Sequence, residues 1–128
     1  MERRMLQILT TAYRATLEEQ DDPSLWLSHS LRNNGAHIDL LLRSSAVSYV
    51  VRDQSPTGLR VGEWVQSQPP DIAYEVAALM SKDCRIFALA EDLAVRGIRR
   101  EHVLGGVGFI ARAELPALLR GYANIWQW

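Results

Sequence analysis

Five apolar runs, each five to seven residues long, punctuate the chain: MLQIL (residues 5–9), HIDLLL (His37–Leu42), CRIFALA (84–90), VGFIA (107–111) and NIWQW (124–128). Runs this short and this continuously apolar fit strands buried on both faces, because a half-exposed strand would alternate with period two. Segments with helical spacing or capping chemistry lie between them, so strand and helix alternate along the chain. A parallel sheet whose two faces both need cover implies a three-layer α/β sandwich with a mostly parallel, five-stranded sheet. The 128 residues suffice for one core, and no repeat or composition break marks a second domain, so residues 1–128 read as a single unit.

The intervening helices announce their starts. Asp22 is placed to cap a helix whose first position is Pro23, with Leu27, Leu31 and Asn34 on one face and Asn34-Gly35 as its stop. Residues 44–51 read as a short helix. Asp71 caps IAYEVAALMSKD, whose apolar stripe is Ile72, Val76, Leu79 and Met80. EDLAVR begins with two acids that suit a helix N-terminus and ends at Gly97, and residues 114–121 form a last helix with Pro116 in its first turn. The stretch RDQSPTGLRVGEWVQSQPPD has no sustained period and reads as a loop with marginal structure, as does TTAYRATLEEQDD.

Composition excludes several function classes. Fourteen Lys and Arg against fifteen Asp and Glu leave a net charge of −1, which offers no field for nucleic acid or an anionic membrane. The N-terminal MERRMLQILTTAY is too short and too polar for a secretory signal, and no segment reaches membrane-spanning length, so the expectation is a cytoplasmic protein. One cysteine, Cys84, precludes an intramolecular disulfide framework and a Cys-rich zinc site. His29, His37 and His102 have no ligand spacing, and neither a metal nor a cofactor is indicated.

In α/β proteins sites form where strands end and helices begin. That places Thr10, Thr11, Tyr13 and Arg14 after the first strand, Arg43, Ser44 and Ser45 after the second, and Glu91 and Asp92 after the third, all at one carboxyl edge. Hydroxyls and two guanidinium groups could line a pocket for an anion or a thiol-bearing substrate; the alternative is a solvated loop rim. Glu91 and Asp92 fit an acid/base pair or, more simply, helix-terminal charge. Gly105, Gly106 and Gly108 precede a strand and therefore read as a turn, not a dinucleotide fingerprint.

Trp126 and Trp128 are two apart, so on a strand they face the same side, and Trp64 sits with Val61 and Val65 in the aperiodic stretch. Either a subunit contact or packing within the monomer would cover them.

The run FALAEDLAVRGI resembles the strand-helix-Arg-Gly segment of the DsrE/DsrF/DsrH family, which includes the TusB, TusC and TusD sulfur-relay subunits, and is most similar to the DsrH/TusB pattern around Arg96-Gly97. ILTTAYR resembles the family's first strand and loop, and NNGAHIDLLLRSSAV its glycine, second strand and Ala-Val helix. The resemblance implies a flavodoxin-like domain that assembles into homo- or hetero-oligomers with related subunits and handles sulfane sulfur. It also implies a persulfide cysteine near the end of the third strand, where this chain has Leu89. The resulting expectation is a non-catalytic or scaffolding subunit of intracellular sulfur trafficking that docks a cysteine-bearing carrier. One alternative is an oligomeric small-ligand domain without sulfur transfer. The other is an enzyme-like carrier using Cys84, whose thiolate the nearby Lys82 and Arg85 could favour. Cys84 begins its strand, however, roughly 16 Å from Leu89 at 3.3 Å per residue, and a lone cysteine there is more often inert.

Overall fold

The structure is a computed structural model that describes residues 3–13, 22–54, 58–69 and 71–128. Strand β1 (Arg4–Leu9) is followed by helix α1 (Pro23–Asn33), strand β2 (His37–Leu42) and a 3₁₀ segment (Ser44–Val50). A two-stranded hairpin of β3 (Arg60–Val61) and β4 (Trp64–Val65) then leads to α2 (Ile72–Ser81). Strand β5 (Ile86–Leu89) runs directly into α3 (Ala90–Val95). After a 3₁₀ turn (Arg100–His102) come β6 (Gly108–Ile110), a second 3₁₀ turn (Arg112–Glu114), α4 (Leu115–Arg120) and β7 (Asn124–Gln127).

The main sheet has five strands in the order β6-β5-β2-β1-β7, every neighbouring pair parallel. The chain steps outward from β1 through β2 and β5 to β6, then returns to lay β7 on the far side of β1. The continuous apolar runs are thereby accounted for: Leu6, Ile38, Leu40, Leu41, Leu42, Ile86, Ala88 and Leu89 are buried on one face or the other. On one face Ile38, Leu40, Leu42, Ile86 and Ala88 pack with Leu25 of α1, Val76 and Leu79 of α2, Leu93 of α3 and Ala46, Val47, Tyr49 and Val50. On the other, Leu6, Ile8, Leu41 and Leu89 pack with Leu115, Leu118 and Leu119 at α4. Three helices and a 3₁₀ segment thus cover one face, and one short helix covers the other. No helix among the described residues is long and apolar enough to cross a membrane.

Three local expectations change. The buried positions of α1 are Ser24, Leu25 and Ser28, with Leu31 packed against the core, whereas Leu27 is only half-buried and Trp26 is exposed. The reason is the cap: Asp22 Oδ1 accepts from the Ser24 and Leu25 N–H groups, while its Oδ2 accepts the hydroxyl of buried Tyr49, and this bond turns the serine side of the helix inward. Ser28 can face the core because its hydroxyl bonds back to the Ser24 carbonyl at 2.8 Å. Second, the aperiodic middle contains a hairpin, closed by Gly62 at φ +60° in a two-residue turn, a conformation that costs glycine nothing. Third, the strands expected from 84 and 107 start later, at Ile86 and Gly108. Gly108 has a steric reason to be glycine, since a Cβ there would lie 2.8 Å from the Phe87 ring.

A fully buried carboxylate lies inside the sheet itself. Asp39, in the middle of β2, has no solvent exposure; it accepts from Arg4 Nε at 3.0 Å and Nη2 at 2.5 Å, from the Tyr122 hydroxyl at 2.6 Å and from the Arg85 N–H at 2.8 Å. Burial pushes its carboxyl up, but the bonds from Arg4, Tyr122 and Arg85 outweigh it and hold the group below its ordinary range. Burial and the bond to Asp39 push the Tyr122 phenol up.

Removing one partner of a buried, bonded charge costs about 3–5 kcal/mol, so Asp39→Ala is expected to lose that much in urea unfolding, and Tyr122→Phe about 1–2 kcal/mol. The pH dependence follows. Asp39 is depressed when folded, so its stabilisation is complete above 3.8 and disappears as pH falls below that value. Tyr122 and Cys84 are raised, so their contributions are complete below 10.0 and 9.0 and decline as pH rises past those values. Unfolding midpoints measured from pH 2 to 11 should therefore fall at both ends, and Cys84→Ala should blunt the earliest alkaline loss.

Candidate functional site

Parallel strands bring the residues after β1, β2, β5 and β6 to one edge. After β1, Thr10 donates its hydroxyl to the Trp128 carbonyl at 2.6 Å, and the Ala12 N–H donates to Ser45 Oγ at 3.1 Å, which itself donates to the Thr10 carbonyl at 3.3 Å. The Tyr13 N–H donates to Tyr49 Oη at 2.6 Å, and the Tyr13 hydroxyl donates to Gln54 at 2.9 Å. Thr11 is exposed beside them. Thr10, Thr11, Tyr13, Arg43, Ser44 and Ser45 are thus at the same edge, whereas Arg14 and the rest of 14–21 lie outside the described residues.

The two acids of α3 act as receptors for neighbouring backbone. Glu91 accepts the Arg112 N–H with both oxygens, at 2.9 and 3.0 Å, and Asp92 accepts the Ser44 N–H at 2.6 Å. Ser44 has φ +52°, a conformation rarely adopted by a side-chain-bearing residue, and its N–H meets Asp92 while Arg96 reaches its hydroxyl at 3.4 Å. Glu91 and Asp92 therefore join the ends of β2, β5 and β6 through the first turn of α3. Among the described residues the Arg43 side chain has no hydrogen-bond or ion-pair partner, and its own N–H donates to the Leu9 carbonyl at 2.9 Å.

Leu89, the last residue of β5, is fully buried and packs with Leu6, Ile8, Leu41 and Leu115. Cys84 lies before the opposite end of that strand, only 3 % exposed, beside the Arg4–Asp39 pair. The sequence proximity of Lys82 and Arg85 does not activate it. Burial, reinforced by the negative charge of Asp39, pushes the thiol up to about 12 against partial compensation from Arg4 and Arg32. Lys82 is engaged elsewhere, donating to His29 Nδ1 and to Asn33 Oδ1 at 3.0 Å each. His29 also meets Glu75 through Nε2 at 2.9 Å and so ties α1 to α2. No group of three His, Cys, Asp or Glu side chains that could hold a metal occurs among the described residues.

Trp64, Trp126 and Trp128 are 40 %, 39 % and 44 % exposed. Within the hairpin Val61 pairs with Trp64, so these two share a face with Leu59, and all three are exposed. At the sheet edge Ile125 is exposed as well. Sequence reasoning missed Trp26, which lies between Leu25 and Leu27 in the chain and is exposed, and it missed Arg99, Arg100 and Phe109. These last three line a cavity with residues of α3; the only signal was the pair Arg99-Arg100 in the chain.

No family model matches the chain, and no curated protein matches it in sequence. Solved structures do. The YchN protein from E. coli superposes with a TM-score of 0.74 at 19 % identity, each chain covered in full. A protein of unknown function from Methanobacterium thermoautotrophicum, MTH1491, superposes with a TM-score of 0.60 at 18 % identity over 98 % of this chain and 99 % of its own. At that identity the likeness is one of fold, and the fold is DsrE-like.

Two outcomes test this geometry. Replacing Ser44 by Gly relieves the positive φ and is expected to stabilise by about 1 kcal/mol in thermal or urea unfolding. An aromatic disulfide reagent at pH 8 should label Cys84 at a rate set by opening of the fold, rising toward that of a free thiol only in denaturant.

Proposed function

We propose that this protein works in intracellular sulfur trafficking as a non-catalytic, DsrH/TusB-type subunit that scaffolds or docks a cysteine-bearing carrier in a reducing cytoplasm. The observation that carries the reading is the pairing of a DsrE-like fold with a leucine at the carboxyl end of β5. A persulfide carrier needs an accessible sulfur that ionises near neutral pH. Leu89 has none, and Cys84 is buried, raised to about 12 and at the other end of the strand.

Docking is the role left to such a chain. Trp126 on the outer strand, with Trp128 just after it, forms one apolar surface for a related subunit, and Trp64 with Leu59 and Val61 on the hairpin forms another. A two-stranded ribbon is marginal in water without a surface to pack on, which supports a partner at the hairpin. The edge lined by Thr10, Thr11, Tyr13, Arg43, Ser44 and Ser45 faces whatever the carrier presents. Glu91 and Asp92 hold that edge together.

Intact mass after exposure of the reduced protein to a persulfide donor tests the non-catalytic assignment, with Cys84→Ala as control. No added sulfur is expected on either; a reversible gain on the wild type alone, transferable to an acceptor thiol, would overturn it. For docking, co-expression with a cysteine-bearing DsrE-like protein from the same genome should yield a complex of fixed stoichiometry by light scattering. Trp126→Ser with Trp128→Ser should weaken that complex by about tenfold or more, the usual scale for buried tryptophan anchors.

A further inference from the structure

The switch in helix placement along the sheet falls between β5 and β6. Leu93 of α3, which follows β5, packs on one face, while Leu115 of α4, which follows β6, packs on the other. Neighbouring strands whose helices leave to opposite sides open a crevice at their carboxyl ends, the general ligand position of open α/β sheets. A cavity of about 390 Å³ lies beside it, lined by Ala90, Leu93 and Ala94 of α3, Ile98, Arg99 and Arg100 of the connecting segment, and Phe109 of β6. That volume is within the range of small-molecule sites.

Its chemistry is two-sided. Leu93, Ile98 and Phe109 with two alanines make an apolar floor. At the mouth the Arg100 guanidinium lies 4.4 Å from the centre of the Phe109 ring. Stacking there orients the planar group, and it has no carboxylate or hydrogen-bond partner among the described residues. The neighbouring Glu101 carboxylate is engaged by Arg99 at 3.3 Å. The segment carrying both arginines is held by main-chain bonds, from the Arg52 N–H to the His102 carbonyl and from the Leu104 N–H to the Val50 carbonyl, each at 2.9 Å. An oriented guanidinium with its donors open, above an apolar floor, is a receptor for a carboxylate or sulfonate attached to a flat hydrophobic body.

We infer that the α3–β6 cavity binds a small amphipathic anion, its ring or chain on Leu93, Ile98 and Phe109 and its acidic group on Arg100. The site needs neither Cys84 nor sulfur transfer, so it stands or falls apart from the trafficking role. The test is a titration of the isotope-labelled full chain with 2-naphthoate, followed by amide chemical shifts. Saturable shifts are expected at Ala94, Ile98, Arg99, Arg100 and Phe109. Arg100→Gln should weaken binding by about tenfold or more, the scale of a charge-assisted bond, and the neutral 2-naphthamide should bind the wild type more weakly by a similar factor. Ala94→Trp, which fills the cavity at an exposed helix position, should abolish the shifts. Equal affinity for the amide, unchanged affinity in Arg100→Gln, or no saturable shifts at these residues would overturn the inference.

Discussion

A single buried carboxylate organises the amino-terminal side of the sheet. Asp39 is enclosed in a β2 that is otherwise apolar, and its charge is tolerable there only because Arg4 of β1, the Arg85 N–H before β5 and Tyr122 before β7 all converge on it. These contacts couple four of the five strands through one group. They also oppose any slip in register between β1 and β2, which would separate Arg4 from Asp39 and leave a buried charge unpaired. The same charge suppresses chemistry next door, because a thiolate at Cys84 would be buried and would face Asp39.

The carboxyl-terminal edge is built on the opposite plan. Glu91 and Asp92 there are half-buried and bind backbone: Glu91 takes the Arg112 N–H, and Asp92 takes the N–H of Ser44. They fix the loops after β2 and β6 relative to α3, which both strengthens the edge and withdraws those N–H groups from any ligand. Among the described residues the side chains of Arg43, at this edge, and of Arg100, between α3 and β6, have no hydrogen-bond or ion-pair partner, and Arg100 lies over an aromatic ring beside a cavity. The apolar groups left exposed fall mainly on the hairpin and on β7, neither of which contributes to the two buried clusters.

Much of the fold was legible because its signals are local. Continuous apolar runs marked the five sheet strands, and His37–Leu42 was placed to the residue. Asp22-Pro23 and Asp71 marked helix starts that the structure confirms by hydrogen bonds to Ser24, Leu25 and Tyr74. Failures occurred where a distant group decides. Which side of α1 turns inward depends on Tyr49 bonding Asp22, and the hairpin rests on a turn at Gly62 that a search for sustained periodicity passes over.

The same division governs the site. Sequence alone determined that the chain is a parallel α/β domain, that residues after β1, β2 and β5 share an edge, and that no cysteine stands at the end of β5, since each follows from order and spacing along the chain. Tertiary structure alone decided that Glu91 and Asp92 serve the backbone, that Cys84 is sealed beside Asp39, and that Arg100 lies over Phe109 beside α3. Burial, charge pairing and ring contact are set by groups tens of residues apart or brought together by a turn, and chain order encodes none of those distances.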